Sequence, residues 1–418
     1  MPANPTPSTG YLALLKGNSD FRKVWVAWAL SLFGDWFNML ATATLLTRLT
    51  DSGAAIGGLF VVRMLAPSLV SPLAGVLSDR VSRRHILIAT DLLRSVVVLG
   101  FLLVRDPSQI WLLYTLTFIQ MALSGIAYPA QRSILPDICS KEELGAANAL
   151  NSATWSIMFA LGTALGGFAT GAWGTSPNFI IDCGTFLLSA AILKSLYFRK
   201  GAAETAPSQS GFADFKKGLR YLKDHTDILV VVLVKTSFSL FVVGAFNVAK
   251  VAIADRVFPS SNGGGTNLGL LYGAMGLGTA LGPILWRIWT RDNERKMRIA
   301  IAVSYIVAAG GLYTASTLSS LGVVALGSTL RGIGAATGWV FSTQILLHKL
   351  PDGVRGRVFS SEFALLTLAN AASAYMGGQL VDTMGPEGLL RVQSLLVLIP
   401  LGFWIWWNGR TFRTHAPL

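Results

Sequence analysis

Residues 55–104 read AIGGLFVVRMLAPSLVSPLAGVLSDRVSRRHILIATDLLRSVVVLGFLLV, two apolar runs (55–78 and 86–104) separated by a short turn that holds Asp79, Arg80, Arg83 and Arg84. A helix rises 1.5 Å per residue, so a run of about 20 apolar residues crosses the hydrocarbon core of a bilayer. The stretch therefore reads as a transmembrane hairpin with a basic loop. Outward from it the pattern recurs at 24–47, 110–131, 148–172, 178–198, 228–251, 267–289, 298–316, 320–347, 359–381 and 389–408. Only 13% of the 418 residues are charged and 52% are hydrophobic, with a mean hydropathy of +0.54. A soluble domain of that composition has too few charges to cover its surface. The expectation is an all-α integral membrane protein with 12 transmembrane helices.

The connections alternate in charge. The N-terminus and the even-numbered connections hold 25 of the 34 Lys and Arg residues, while the other side holds Arg48, Arg105, Lys250, Arg256 and Arg391. By the positive-inside rule both termini are cytoplasmic. The first ten residues lack the charged and apolar regions of a cleaved leader, so the first span is expected to be retained. The longest polar connection divides the chain into a six-helix bundle (1–198), a linker (199–227) and a second six-helix bundle (228–418). Within that linker GAAETAPSQSG reads as flexible and FADFKKGLRYLKDH as a basic amphipathic helix on the membrane surface. Leu135-Pro136-Asp137 after the fourth span and Leu350-Pro351-Asp352 after the tenth support a 6+6 repeat.

Several chemistries are excluded. A net charge of +13 sits in loops, as topogenic charge does, and does not indicate nucleic acid. Cys139 and Cys183 are too few for a disulfide framework, and His85, His225, His348 and His415 form no metal-binding pair. No G-x-x-x-x-G-K-[ST] phosphate loop is present. Neither an enzyme, a cofactor nor a metal is expected.

The turn Gly75-Val-Leu-Ser-Asp79-Arg80-Val-Ser82-Arg83-Arg84 resembles the major facilitator signature G-x-L-x-D-R-x-G-R-R/K, with Ser82 in the second glycine place. DFRKVWVAWALSLFGDWF (20–37), LPDICSKEELGAANALNS (135–152) and RGRVFS (355–360) resemble the branch holding macrolide-efflux and enterobactin-exporter proteins. Leu161-Gly162-Thr163-Ala164-Leu165-Gly166-Gly167 is similar to the antiporter signature G-P-x-x-G-G, with Thr163 in the proline place. The resemblance implies two bundles working by alternating access and proton-coupled export of an amphiphilic solute of drug, macrolide or siderophore type. An importer, uniporter or lysophospholipid transporter shares most of these motifs. It also implies that Asp79 and Arg83 lock the cytoplasmic side by contacts between the halves. Two covalently joined bundles make a monomer the expectation.

Ionisable residues inside spans mark candidate sites. Asp35 lies mid-span, and Ser31, Asp35, Asn38 and Thr42 form one helical stripe, at i, i+4, i+7 and i+11, suited to a cavity wall and to proton coupling. Thr117, Gln120, Ser124 and Tyr128 make a second stripe. Arg63, Arg94, Lys235 and Arg331 are the cations within spans. Arg331 is the candidate either to compensate a buried acid or to bind an anionic substrate group, Asp91 and Arg94 read as a local pair, and Lys235 as snorkelling to the interface. Asp182 and Glu362 read as partly hydrated interface or gate residues. Small-residue pairs at Gly162/Gly166, Gly167/Gly171 and Gly278/Gly282 permit close helix approach, either as static packing or as a sliding surface between halves.

Overall fold

The computed structural model describes residues 10–196, 211–259, 264–291 and 293–414. Among them every regular element is helical. The main helices are α1 (Ser19–Leu49), α2 (Gly53–Arg80), α3 (Arg83–Gly100), α4 (Ile110–Ser133), α5 (Lys141–Trp173), α6 (Ser176–Lys194), α7 (Gly211–Asp224), α8 (Thr226–Val257), α9 (Gly265–Thr290), α10 (Glu294–Ser316), α11 (Leu321–Lys349), α12 (Asp352–Leu396) and α13 (Leu398–Thr414). Two π-helical turns, Ser239–Val243 and Ile253–Val257, interrupt α8.

Helix starts follow local chemistry. Ser82 stands where the signature has glycine, yet its φ of −59° needs no glycine. Its hydroxyl accepts from the His85 backbone N–H at 3.4 Å, so the substitution supplies an N-cap for α3. Ser140 and Glu143 form a capping box on α5, and Asn293 and Ser320 cap α10 and α11. At Gly385 φ is +72°, a conformation that favours glycine, and Pro386 follows; together they break the run that begins at Asp352.

Ten described helices are long and apolar enough to cross a membrane. The count differs from the twelve apolar runs for two reasons. Val354–Arg410 is continuous over 57 residues and contains both of the last two runs, with the Gly385 break between them. The run at 320–347 forms the 29-residue α11, which is not among the ten.

Polarity along the helices is inverted relative to a soluble protein. On α3 the buried face carries Thr90, Asp91, Arg94 and Ser95, while Leu92, Leu93, Val96, Leu99 and, just beyond its end, Leu103 are exposed. Apolar residues outward and ionisable ones inward is the arrangement a hydrocarbon solvent selects.

The chain forms two compact units, Met1–Thr42 with Ala66–Ser208 and Ala43–Leu65 with Gln209–Leu418. The first is built on Val24, Ala27, Ile86, Leu87, Ala130 and Leu193, which pack together from α1, α3, α4 and α6. Cys139 lies at its margin against Leu14, Phe21 and Leu135, where burial pushes its thiol up to about 11. In the second unit, helix α7 lays Gly218 against the Arg357 carbonyl of α12 and buries Leu222. Part of the amphipathic face expected on the membrane surface is therefore spent on α12, while Leu219 and Arg220 remain exposed.

The paired glycines are close-approach points inside each unit. A β-carbon at Gly162 would lie 2.8 Å from the Trp36 β-carbon, and one at Gly166 2.5 Å from the Phe37 carbonyl oxygen, so α5 rests directly on α1. Gly278 and Gly282 bring α9 onto α11 at Thr329 and Ile333. Gly167 is buried on α5. For Gly162, Gly166, Gly278 and Gly282 the static-packing reading describes these contacts. Gly166→Ala and Gly282→Ala are expected to destabilise their units by about 1–3 kcal/mol through overpacking, whereas Gly310→Ala, with open space around it, leaves the thermal midpoint of the purified protein unchanged.

Candidate functional site

The Ser31–Asp35–Asn38 stripe of α1 faces α3, α4 and α6 of its own unit, and those helices return ionisable groups to it. Arg94 of α3 forms an ion pair with Asp35 through Nη2 and lies 3.7 Å from Asp91 through Nη1. Asp91 accepts hydrogen bonds from Ser189 of α6 at 2.6 Å and from Ser31 at 3.3 Å. Gln120 of α4 donates to Asp35 at 3.3 Å, and Asn38 donates to Asp182 of α6 at 2.8 Å. Thr42 closes the chain by donating to the Asn38 side-chain oxygen at 2.8 Å. The guanidinium also stacks over Phe186, 4.1 Å from the ring centroid.

Three carboxylates, Asp35, Asp91 and Asp182, thus cluster in one place, and the single guanidinium pairs with Asp35 and Asp91. Asp182 is fully buried, and its partners are neutral, the Asn38 amide and the Thr185 hydroxyl. Its approach depends on Gly34, because a β-carbon there would collide with the Asp182 carboxylate. Asp91 and Arg94 do pair locally at 3.7 Å, while Arg94 makes its closer ion pair with Asp35. Asp182 is a buried member of the Asp35 cluster, not a hydrated gate residue. Hydropathy alone does not reveal Asp182 because it lies in the first half of its run, near a helix end, where solvent is the default assumption. The geometric signal was present in its i, i+7 spacing to Ser189, which places both residues on one face of α6.

A small cavity reaches this cluster. Its walls include Val24, Trp28, Ser31, Asp91, Arg94 and Gln131. Arg94 Nε and Gln131 Nε2 are buried and have no hydrogen-bond partner among the described residues, so the cluster offers donors beside the cavity.

The second polar stripe divides. Gln120 joins the cluster, Thr117 bonds its own helix at the Leu113 carbonyl, Ser124 is half-buried, and Tyr128 is exposed and bonded to Arg132 at 2.7 Å. In the signature turn, Arg83 pairs with Asp137 of the Leu-Pro-Asp triplet and Arg84 donates to the Leu193 carbonyl at 3.0 Å, both inside the first unit. The side chains of Gly75, Asp79 and Arg80 lie outside the described residues.

In the second unit Lys235 does not snorkel. It is 4% exposed and pairs with Glu362 at 2.8 Å, joining α8 to α12 in a buried ion pair, so Glu362 is not a hydrated gate residue. Arg331 is also buried and donates to the Val242 carbonyl from Nε and Nη2 at 3.3 and 3.1 Å.

The sequence model described as Major Facilitator Superfamily matches residues 24–361. The chain belongs to the major facilitator superfamily. It is 28% identical over 388 residues to the transporter YfiS of Bacillus subtilis (strain 168), covering 89% of each chain. It is 20% identical over 383 residues to macrolide efflux protein A of Streptococcus pyogenes, covering 90% of this chain and 93% of that protein. The crystal structure of a bacterial homolog of the human lysosomal transporter Spinster superposes with a TM-score of 0.73 at 13% identity, covering 99% and 100% of the two chains. The fold is that of the superfamily. The protein is a multi-pass membrane transporter with efflux-type relatives, and not an enzyme.

Arg94 neutralises the acid cluster, so Arg94→Met should cost about 3–5 kcal/mol by leaving buried carboxylates unpaired. The double variant Arg94→Met/Asp35→Asn should recover part of that loss, while Asp182→Asn should change stability little because Asp182 has no cation partner. Thermal unfolding of the four purified proteins reads all three effects; an unshifted midpoint for Arg94→Met contradicts the arrangement.

Proposed function

We propose that this transporter is a proton-coupled exporter of amphiphilic small molecules of drug, macrolide or siderophore type, with the proton carried by the Asp35–Arg94–Asp91–Asp182 cluster. The observation that carries the reading is the excess of acids: two buried carboxylates, Asp91 and Asp182, and the half-buried Asp35 gathered about one guanidinium. Each buried ion costs several kcal/mol unless it is paired. Holding all three ionised leaves two uncompensated negative charges, so the stable forms of the cluster contain bound protons. Asp182, bonded only to neutral donors, is the carboxyl best suited to hold one at rest. Asp35, ion-paired to Arg94, is the carboxylate freed to accept a proton when that pair opens.

The cavity beside Asp91 and Arg94 supplies the access such an exchange needs, and the unpartnered Arg94 Nε and Gln131 Nε2 give arriving water or solute donors to bind. A proton crossing the membrane potential with one elementary charge contributes about 2.3 kcal/mol per 100 mV. That supports a solute gradient of about fiftyfold for one proton per cycle. In this proposal the chain has twelve spans with both termini cytoplasmic, works as a monomer in the bacterial inner membrane, and cycles by alternating access.

The test is substrate-dependent proton flux in liposomes carrying a pH-sensitive dye, with a panel of macrolides, cationic dyes, siderophores and lysolipids. Wild type is expected to move protons with at least one class, and Asp35→Asn to fall to the protein-free baseline with that compound. Undiminished flux in Asp35→Asn, or solute movement without proton movement in wild type, contradicts the reading.

A further inference from the structure

Two buried basic side chains of the second unit, Lys250 and Arg331, make no ion pair among the described residues. Lys250 was counted among the loop charges of one membrane face; the structure instead buries it completely on α8. Val242, Phe246 and Lys250 stand at i, i+4 and i+8, one face of that helix, with Val242 in the first π-helical turn. The Lys250 ammonium lies 3.3 Å from the Met275 sulfur of α9, 3.3 Å from the Tyr272 ring centroid and 5.2 Å from that of Phe246. No oxygen accepts from it. Arg331 Nη1 reaches the same Met275 sulfur at 3.0 Å, and its guanidinium lies 5.0 Å from the Phe246 ring. Among the described residues neither cation makes an ion pair, although Lys235, on the same helix, has Glu362.

A thioether is a weak acceptor and a cation–π contact offers about 2 kcal/mol when desolvated, less than the several kcal/mol that burying an ion costs. The arrangement is held in place by backbone packing: Gly332 brings α11 against the Met275 carbonyl of α9 and Gly334 brings it against α10 at Ser304 and Ala308. With Nε and Nη2 engaged by Val242, Arg331 has Nη1 left to face Lys250.

We propose that Lys250 and Arg331 form a binding site for the carboxylate of an organic anion, whose apolar body packs on Phe246, Tyr272 and Met275. One carboxylate bridging Lys250 Nζ and Arg331 Nη1 replaces the sulfur contact with two charge-assisted hydrogen bonds. A phosphate dianion is disfavoured, because two side chains are too few donors for its strongly hydrated oxygens. Both cations are occluded in this conformation, so the ligand enters when α8 shifts against α9 and α11; the π-helical turns are where α8 is least regular. The inference rests on the transport reading only in making this anion the cargo.

The test is equilibrium binding of the fluorescent carboxylate dansylglycine and its neutral amide to the purified full chain in detergent. Charged hydrogen bonds of about 1.5–3 kcal/mol correspond to a preference of about tenfold to a hundredfold for the carboxylate. Lys250→Met and Arg331→Met should each abolish that preference without changing amide binding, and Lys250→Arg should keep it. Should the methionine variants not remain monodisperse, wild type alone decides: benzoate should displace dansylglycine and benzamide should not. Equal affinity for carboxylate and amide, a preference surviving both methionine variants, or displacement by benzamide overturns the site. Because no gradient is involved, loss of carboxylate preference leaves the proton-coupling proposal standing, and absent proton flux with intact carboxylate preference removes only the coupling.

Discussion

The cost of holding charge away from water governs this molecule. In an all-helical membrane chain the backbone satisfies itself, so the only expensive groups are ionisable side chains, and each must find a partner, a proton or a ligand. The second unit shows the satisfied case in Lys235 and Glu362, which pair at 2.8 Å between α8 and α12. The first unit has more acids than bases around Arg94, and the second has two bases, Lys250 and Arg331, that pair with no acid among the described residues. These imbalances are opposite in sign. An acid excess is relieved by protons and a base excess by an anion.

Close packing serves that electrostatic design. Gly34 admits the Asp182 carboxylate against α1, and Gly332 and Gly334 seat α11 between α9 and α10 so that Arg331 is held in register. Ser82 shows the same economy at a helix end, since a hydroxyl cap at φ −59° replaces the glycine of the family pattern without demanding a left-handed turn.

Much of this was legible in the sequence where periodicity or motif carried it. The apolar runs marked the helices because each is bounded by charge or by Gly and Pro. The Ser31, Asp35, Asn38 and Thr42 spacing placed one face of α1 correctly, since helical geometry needs no tertiary knowledge. Asp182, Lys235, Glu362 and Lys250 were misjudged for a single physical reason. Position along a span was taken to measure hydration, whereas burial depends on which neighbouring helix covers the residue. The ion pair of Arg94 with Asp35 was hidden for a related reason: it joins residues far apart in sequence, while the visible spacing pointed to Asp91. Arg83 likewise found Asp137 within its own unit, a contact that the motif alone does not specify.

A proton bound in the acid cluster of the first unit at neutral pH is read by infrared spectroscopy of the purified protein, through the carbonyl stretch of a protonated carboxylic acid, which ionised carboxylates lack. Such a band is expected at neutral pH in wild type and is lost in Asp182→Asn. A spectrum with no protonated-carboxyl band at neutral pH, or one that Asp182→Asn leaves unchanged, rules that bound proton out.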